Sequence, residues 1–295
     1  MKGILLAGGS GSRLYPVTRC TSKQMLPVYD KPLIYYPLSV LMLAGVRDIL
    51  VICAPDSLVP AQRLLEDGAH LGLNISYAEQ PEPRGIADAY LIGADHVEDE
   101  DSALILGDNI FHGSGFQELL RSAAERQPGC TLFGYPVSDP ERFAIGETDD
   151  RGNLVSIEEK PLGPRSNNAV TGLYLYDRDV VEIARQTRPS ARGELEITDV
   201  NRAYLAQGQA RIEHLGRGYM WIDAGTPSSL LQAGQYVEFL ASLQGVRVAC
   251  VEEVAARMGL ISAQDCWELG ARMTNSDYGA YVMSIADDLA EAGRT

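Results

Sequence analysis

The chain has 295 residues, of which 45% are hydrophobic and 22% charged, and its formal net charge is −15. That composition fits a large α/β unit with an appendage, or two domains, with apolar side chains enough for a core. No cluster of lysine and arginine exceeds two residues, which argues against nucleic acid as a partner, and no apolar run approaches a membrane span.

The segment Gly3 to Ala7 is a short apolar run closed by glycines and reads as a buried strand. Leu33 to Ala44 reads as a buried helix that Gly45 can end, and Asp48 to Cys53 as a second strand. Ser57 to Asp67 looks helical with Ser57 as N-cap, Asn74 to Ala78 is a third strand, and Ile86 to Asp95 a further helix. Ser102 to Leu106 is a fourth strand, running into Gly107-Asp108-Asn109. Strand and helix therefore alternate through about residue 125, the pattern of a doubly wound, largely parallel sheet. Ligands of such sheets bind beyond the carboxyl ends of the strands, where Gly8-Gly9 and Gly107-Asp108 lie. Short strand-like runs follow at 130–136, 144–147, 154–159 and 169–176, with a turn at Gly152-Asn153. Helical segments near 178–187 and 195–207 and strands near 209–215 and 219–222 come next, and from about 226 the pattern is helical with an insert at 246–255.

An acidic chain that binds phosphate must gather positive charge locally. Only Lys2, Lys23, Lys31 and Lys160 are lysines among 25 basic residues. Genome composition accounts for such a bias, yet three of the four fall in the distinctive stretches below, where a compact point charge suits a site. The turn Leu6-Ala7-Gly8-Gly9-Ser10-Gly11-Ser12-Arg13-Leu14 lets successive N–H groups converge on an anion, and Arg13 adds a charged fork. It is not a Walker loop, because Arg13-Leu14 stands where Lys-Ser/Thr is required, nor a dinucleotide fingerprint, because position 14 is leucine. Taken alone, the turn is also compatible with a tight loop and nothing more, Lys23 with a surface lysine, and Asp108 with a capping aspartate. The five cysteines have no CxxC spacing and an odd count, and the four histidines form no metal pattern, so neither a disulfide framework nor a zinc site is expected. With no signal-like apolar region at the start, a cytoplasmic protein is expected.

LAGGSGSRLYPVT followed by SKQMLPVYDKPLIYYPLSVLMLAGV resembles the N-terminal signature of the glucose-1-phosphate thymidylyltransferase family. YAEQPEPRGIADAYLIG, LILGDNIFHG, DPERF, SIEEKP, SNNAVTGLYLYD, RGELEITDVNRAYL and GYMWIDAGTPSSLLQAGQ follow in the family's order, and the likeness covers roughly residues 1–255. The resemblance implies a Rossmann-like mixed, mainly parallel sheet flanked by helices. It implies a nucleotidyltransferase core over 1–225, with a nucleotide half to about 125 and a sugar half from about 126, and a mainly helical region over 226–295. It implies that dTTP and glucose 1-phosphate give dTDP-glucose and pyrophosphate with Mg²⁺, as the first step toward dTDP-deoxysugars.

By the same resemblance, Leu6, Gly8, Gly9, Ser10, Gly11, Ser12 and Arg13 hold the nucleoside triphosphate and Lys23 contacts its phosphates. Gln80 and Gly85 read the pyrimidine, and Asp108 and Asp223 hold the metal. Ala144, Glu159, Lys160, Val170, Tyr174 and Arg192 form the sugar-phosphate site. Arg13, Lys23, Lys160 and Asp108 are the implied catalytic set. A second, regulatory nucleotide site would include His112, Gly113, Glu118, Arg217, Val248, Glu253 and Arg257, in a homotetramer. The chain departs from the family at Phe143-Ala144-Ile145-Gly146, where Tyr-Gly-Val-Val is usual, at Ala224 for a threonine, and at Asp88 for an amide residue. The first of these puts sugar preference in doubt. A sister uridylyl- or cytidylyltransferase would share the glycine turn and EEKP, and a non-catalytic nucleotide-sugar sensor would be expected to lose Lys23, Asp108 or Lys160, all of which are present.

Overall fold

The computed structural model describes residues 1–9, 11–126 and 128–292. The elements run β1 (Lys2–Ala7), β2 (Pro27–Val28), β3 (Lys31–Pro32), α1 (Tyr35–Leu43), β4 (Asp48–Cys53), α2 (Pro55–Leu65) and β5 (Asn74–Glu79). They continue with α3 (Asp88–Ile92), α4 (Ala94–Val97), β6 (Ser102–Leu106), β7 (Asn109–Gly113), α5 (Phe116–Ala124), β8 (Cys130–Pro136), β9 (Ala144–Thr148), β10 (Leu154–Glu159) and β11 (Asn168–Tyr176). The last are α6 (Val180–Gln186), α7 (Ile197–Ala206), β12 (Ala210–His214), β13 (Tyr219–Asp223), α8 (Pro227–Gln244), α9 (Val251–Arg257), α10 (Ala263–Ala271) and α11 (Asp277–Ala292).

Among the described residues, nine strands form one mixed sheet in the order β10-β9-β11-β6-β1-β4-β5, with β8 pairing β11 and β12 beside this path. The β6-β1-β4-β5 part of this sheet is parallel: β1 pairs β4 and β6, and β4 pairs β5. β11 then runs antiparallel to β6, β8 and β9 and carries the sheet into the second half. The continuous apolar runs follow from cover on both faces. Leu5, Val51 and Ile105 point into one cluster with α1, α2 and α5, while Ile4, Ile52, Leu104 and Tyr176 point into the other with α3, α6 and α7. Each such fully buried aliphatic side chain contributes roughly 1.5–3 kcal/mol.

Three local expectations are corrected. The helix near 57–67 begins at Pro55 with Ala54 before it, so Ser57 lies inside the first turn and caps nothing; Pro55 brings a φ suited to that place and no N–H to satisfy. The segment expected as one helix over 86–95 is two short ones divided at Gly93, which packs within 3.2 Å of Ile4 and Leu50 side chains if given a Cβ. Asn109–Gly113, unassigned in the sequence reading, is a strand that pairs antiparallel with β13 in a separate two-stranded sheet.

The C-terminal helices are tied to the core by buried charge. Asp30 accepts from Lys31 Nζ at 2.5 Å and pairs with Arg247, while the Lys31 ammonium lies 5.0 Å from the Tyr36 ring and 5.7 Å from that of Tyr278. Tyr278 in turn donates to buried Glu252 at 2.5 Å. No helix among the described residues is long and apolar enough to cross a membrane.

Candidate active site

The first strand delivers the glycine turn to the carboxyl edge of the sheet. Gly11 adopts φ +62 and precedes a 3-10 turn, Ser12–Leu14, whose Leu14 is buried and anchors it while Arg13 stays exposed. Thr18 Oγ1 donates to the Gly11 carbonyl at 2.9 Å, and a Cβ on Gly11 would lie 3.0 Å from Thr18 and 3.3 Å from Lys23. Ser10 lies outside the described residues. A later 3-10 turn, Lys23–Met25, folds back against the strand ends, so that Lys23 is only 7% exposed and its ammonium pairs with Asp108.

Asp108 follows the end of β6, and its backbone carbonyl accepts from Ala224 N at 2.9 Å, which brings the end of β13 and Asp223 alongside. Asn109 braces the pair: Nδ2 donates to Asp108 Oδ1 at 2.9 Å, and Oδ1 accepts from Gly172 N at 3.0 Å and Trp221 Nε1 at 2.6 Å. Burial works to raise the Asp108 pKa, but the charge and hydrogen bond of Lys23 and the bond from Asn109 hold it below the usual carboxylate range. Burial and then the charge of Asp108 push Asp223 up to about 6, against smaller opposing pulls from Lys23 and Arg13. Two carboxylates in one partly dry place resist joint ionisation, and a shared divalent cation removes that conflict. Among the described residues no group of three or more histidine, cysteine or acidic side chains is placed to hold a metal. The Asp108–Asp223 pair is therefore a two-carboxylate site of the kind that suits a hard cation completed by substrate oxygens and water.

A cavity of about 430 Å³ opens beside this pair. Arg13, Asp108 and Asp223 line it together with Leu106, Asn109, Gly172, Ala144, Glu159, Lys160, Val170, Tyr174 and Thr198. Glu159 closes β10 and is held in place: Oε2 accepts from Thr198 Oγ1 at 2.6 Å and Oε1 from Arg192 at 3.2 Å. Lys160 has φ +44, its N–H donates to the Phe143 carbonyl at 3.1 Å, and its ammonium lies 3.6 Å from Glu159. Burial raises the Tyr174 hydroxyl pKa above its ordinary value, so it stays a neutral donor. The ring of Phe143 packs on Trp221 at 5.2 Å between centroids, and Arg142 lies over its other side at 5.2 Å.

On the far side of the glycine turn, Gln80 is buried and donates from Nε2 to Asp88 Oδ2 at 3.0 Å. Gly85 has φ +109, and a Cβ there would meet the Leu195 carbonyl at 2.3 Å, so only glycine fits. Leu195 N donates to the Arg84 carbonyl at 2.7 Å and Ala87 N to the Leu195 carbonyl at 3.1 Å, a backbone clasp between the two halves.

The structure thus gathers Arg13, Asp108, Asp223, Ala144, Glu159, Lys160, Val170 and Tyr174 around one space, and Lys23 reaches it only through its ion pair with Asp108. Gly8 and Gly9 adjoin it, within reach of Gln80 and Lys23 respectively, and Leu6 and Ser12 flank the turn. Arg192 is not a lining residue; it sits against Glu159, Glu194 and Glu196. Sequence reasoning missed Asn109, Arg142 and Thr198 and left Trp221 as core. Asn109 was legible as the neighbour of Asp108, and the other three lie inside the quoted motifs DPERF, RGELEITDVNRAYL and GYMWIDAGTPSSLLQAGQ, where nothing in the residue type alone singled them out. Of the implied regulatory residues, His112 Nδ1 meets Tyr236 OH at 2.9 Å, Gly113 packs against Tyr219, and Glu118 lies near Gly115. Val248 is buried with Ile110, Arg217 is exposed, and Glu253 accepts from Arg257 at 2.7 Å and Tyr281 at 2.7 Å.

The chain belongs to the nucleotidyl transferase family, whose model matches residues 2–238. It is similar to proteins named glucose-1-phosphate thymidylyltransferase: that of Xanthomonas campestris pv. campestris is 55% identical, with 97% of each chain covered. The Neisseria meningitidis protein of that name is 52% identical and the Mycobacterium tuberculosis one 50%, each over 97% of this chain and 99% of the relative. A crystal structure of a Bacillus anthracis protein assigned to the same activity superposes with a TM-score of 0.75 at 38% identity, covering 80% of this chain and 94% of the other. A UDP-glucose pyrophosphorylase structure, at 24% identity and TM-score 0.69 over 81% and 98%, shares the fold. The protein is a nucleotidyltransferase.

Proposed function

We propose that the protein is a glucose-1-phosphate thymidylyltransferase, joining dTTP and glucose 1-phosphate to give dTDP-glucose and pyrophosphate. The observation that carries this is the convergence on one cavity of a carboxylate pair, two cations and a hydrogen-bonded glutamate, Asp108 and Asp223, Arg13 and Lys160, and Glu159, with buried Lys23 paired to Asp108. The relatives at 50–55% identity bear the name of that activity.

The reaction is a single displacement at the α-phosphorus, in which a sugar phosphate oxygen forms the new P–O bond and pyrophosphate leaves. A phosphate monoester dianion is a competent nucleophile, so no general base is needed and catalysis is alignment with charge neutralisation. Gly8, Gly9, Ser10, Gly11 and Ser12 cradle the phosphates, with Leu6 behind them, and Arg13 and Lys23 gather charge as pyrophosphate departs. Gln80 and Gly85 read the base. Lys160 aligns the attacking phosphate, Glu159 accepts from sugar hydroxyls, Ala144, Val170 and Tyr174 shape the pocket, and Arg192 acts through Glu159. Asp108 and Asp223 would hold Mg²⁺, which when bound neutralises phosphate charge and assists the leaving group.

The exposed apolar side chains of α8, Leu231 at 63%, Phe239 at 56% and Leu243 at 68%, with Tyr15 and Val17 also exposed, support assembly into a homotetramer. A regulatory site at His112, Gly113, Glu118, Arg217, Val248, Glu253 and Arg257 and a cytoplasmic place of action complete the reading. The test is pyrophosphate release from dTTP, UTP and CTP with glucose 1-phosphate and Mg²⁺. The expected order places dTTP first, and no turnover with dTTP rejects the proposal.

A further inference from the structure

Three neighbouring strands, β10, β9 and β11, lie side by side at one edge of the sheet. Glu159 on β10 is the register partner of Ala144 on β9, and Ala169 on β11 that of Ile145, which brings Val170 beside Ala144 on its other side. Residues directly opposite in a ladder face the same way, so Glu159, Ala144 and Val170 form a row across the sheet, and all three line the cavity. A Cβ on Gly146, two residues along β9 on the same face, would lie 3.7 Å from Val170 Cγ2, as such a row requires. Strand spacing sets the two outer residues roughly 10 Å apart, with the short Ala144 side chain between two longer ones.

Neither neighbour is free to move aside. Glu159 is held by Thr198 Oγ1 at 2.6 Å and by Arg192 at 3.2 Å. Val170 is β-branched and 5% exposed, packed in the apolar cluster with α6 and α7. The backbone before Ala144 is tied as well, because the Phe143 carbonyl accepts from Lys160 N at 3.1 Å. The side chain at 144 therefore sets the depth of the gap between Glu159 and Val170. At this position the chain departs from its family's usual glycine, so the narrowing belongs to this chain.

We propose that Ala144 is a specificity-determining residue. Its methyl restricts the acceptor to hexose 1-phosphates that carry only hydroxyl groups on the ring carbons beside Glu159, and excludes those in which such a hydroxyl is replaced by an acylamino group. The inference rests on the reading that Glu159 accepts from sugar hydroxyls. A hydroxyl that donates to Glu159 brings its own ring carbon, and the carbons next to it, over the gap that Ala144 makes shallow. A hydroxyl is one heavy atom and an acetamido group is several, which a gap with fixed sides can take in only by depth.

The test is kcat/KM, with dTTP and Mg²⁺, for glucose 1-phosphate and for the analogues in which one ring hydroxyl at a time is replaced by acetamido. It is measured in the native protein, in Ala144→Gly and in Ala144→Val. Glycine should raise kcat/KM for at least one analogue, relative to glucose 1-phosphate, by roughly 10- to 200-fold, the scale of one small apolar group in a fixed pocket. Valine should raise the KM for glucose 1-phosphate itself roughly tenfold or more while the KM for dTTP holds, a split that a general loss of structure does not produce. Ratios in Ala144→Gly that match those of the native protein overturn the inference. So does an Ala144→Val protein whose KM for glucose 1-phosphate is native, or an equal loss on every substrate. If Ala144→Val does not fold, the glycine ratios decide. No turnover of dTTP and glucose 1-phosphate by the native protein overturns the underlying reading instead, so the two failures are distinct.

Discussion

Asp223→Asn should make the metal-free protein more stable and a poorer enzyme. The Asp223 carboxyl rises from 3.8 to about 6 because it is buried beside Asp108. A group whose folded pKa is raised favours the fold while it is protonated; the advantage is full below the unfolded value and is lost as pH climbs through the folded one. Above about pH 7 the conflict costs on the order of 3 kcal/mol, and at about pH 5 roughly half of that. Asp108, held low, titrates beneath this window. Asparagine carries no charge, so the variant should melt roughly 6 °C higher than the native protein at about pH 7.5 in EDTA, given about 2 °C per kcal/mol for a chain of this length. The gap should narrow by half at about pH 5. Saturating Mg²⁺ should raise the native protein and leave the variant behind, since only the native pair offers two carboxylates. Scanning calorimetry at the two pH values, with and without Mg²⁺, measures all of this. A variant that melts with the native protein at about pH 7.5, or whose advantage is undiminished at about pH 5, refutes the reasoning.

Lys160→Ala should raise the KM for glucose 1-phosphate roughly 10- to 100-fold and spare that for dTTP, which initial rates with each substrate varied in turn will show. Asn109→Ala leaves the Trp221 and Gly172 N–H groups without their acceptor. It should cost about 1–3 kcal/mol in urea unfolding and weaken Mg²⁺ binding by calorimetry. Gly85→Ala must find room 2.3 Å from the Leu195 carbonyl at φ +109. A loss of about 3 kcal/mol or more is expected, and an unshifted denaturant midpoint would show that the clasp yields freely.

The parallel half was legible because apolar runs such as Ile49–Cys53 are buried on both faces and end in glycine or a turn, a signal that needs no partner to read. Asn109–Gly113 escaped because its partner lies in β13, more than a hundred residues on, and no local pattern announces a pairing at that distance. The helix divided at Gly93 looked continuous because its apolar spacing persists; the break falls at a glycine packed closely against Ile4 and Leu50. At the site, the charged residues in ordered motifs stood out. Thr198 and Trp221 did not, since their meaning lies in what they touch, Glu159 and Asn109. Asp88 was visible as a departure, but its hold on Gln80 required coordinates.

The clasp at Leu195 has a consequence for redesign. Three residues further along, Thr198 grips Glu159, so a single short stretch of chain touches the 84–87 turn at one end and the Glu159 carboxylate at the other. A loop grafted over 82–86 will therefore disturb the hold on Glu159 unless residues 192–198 are exchanged with it.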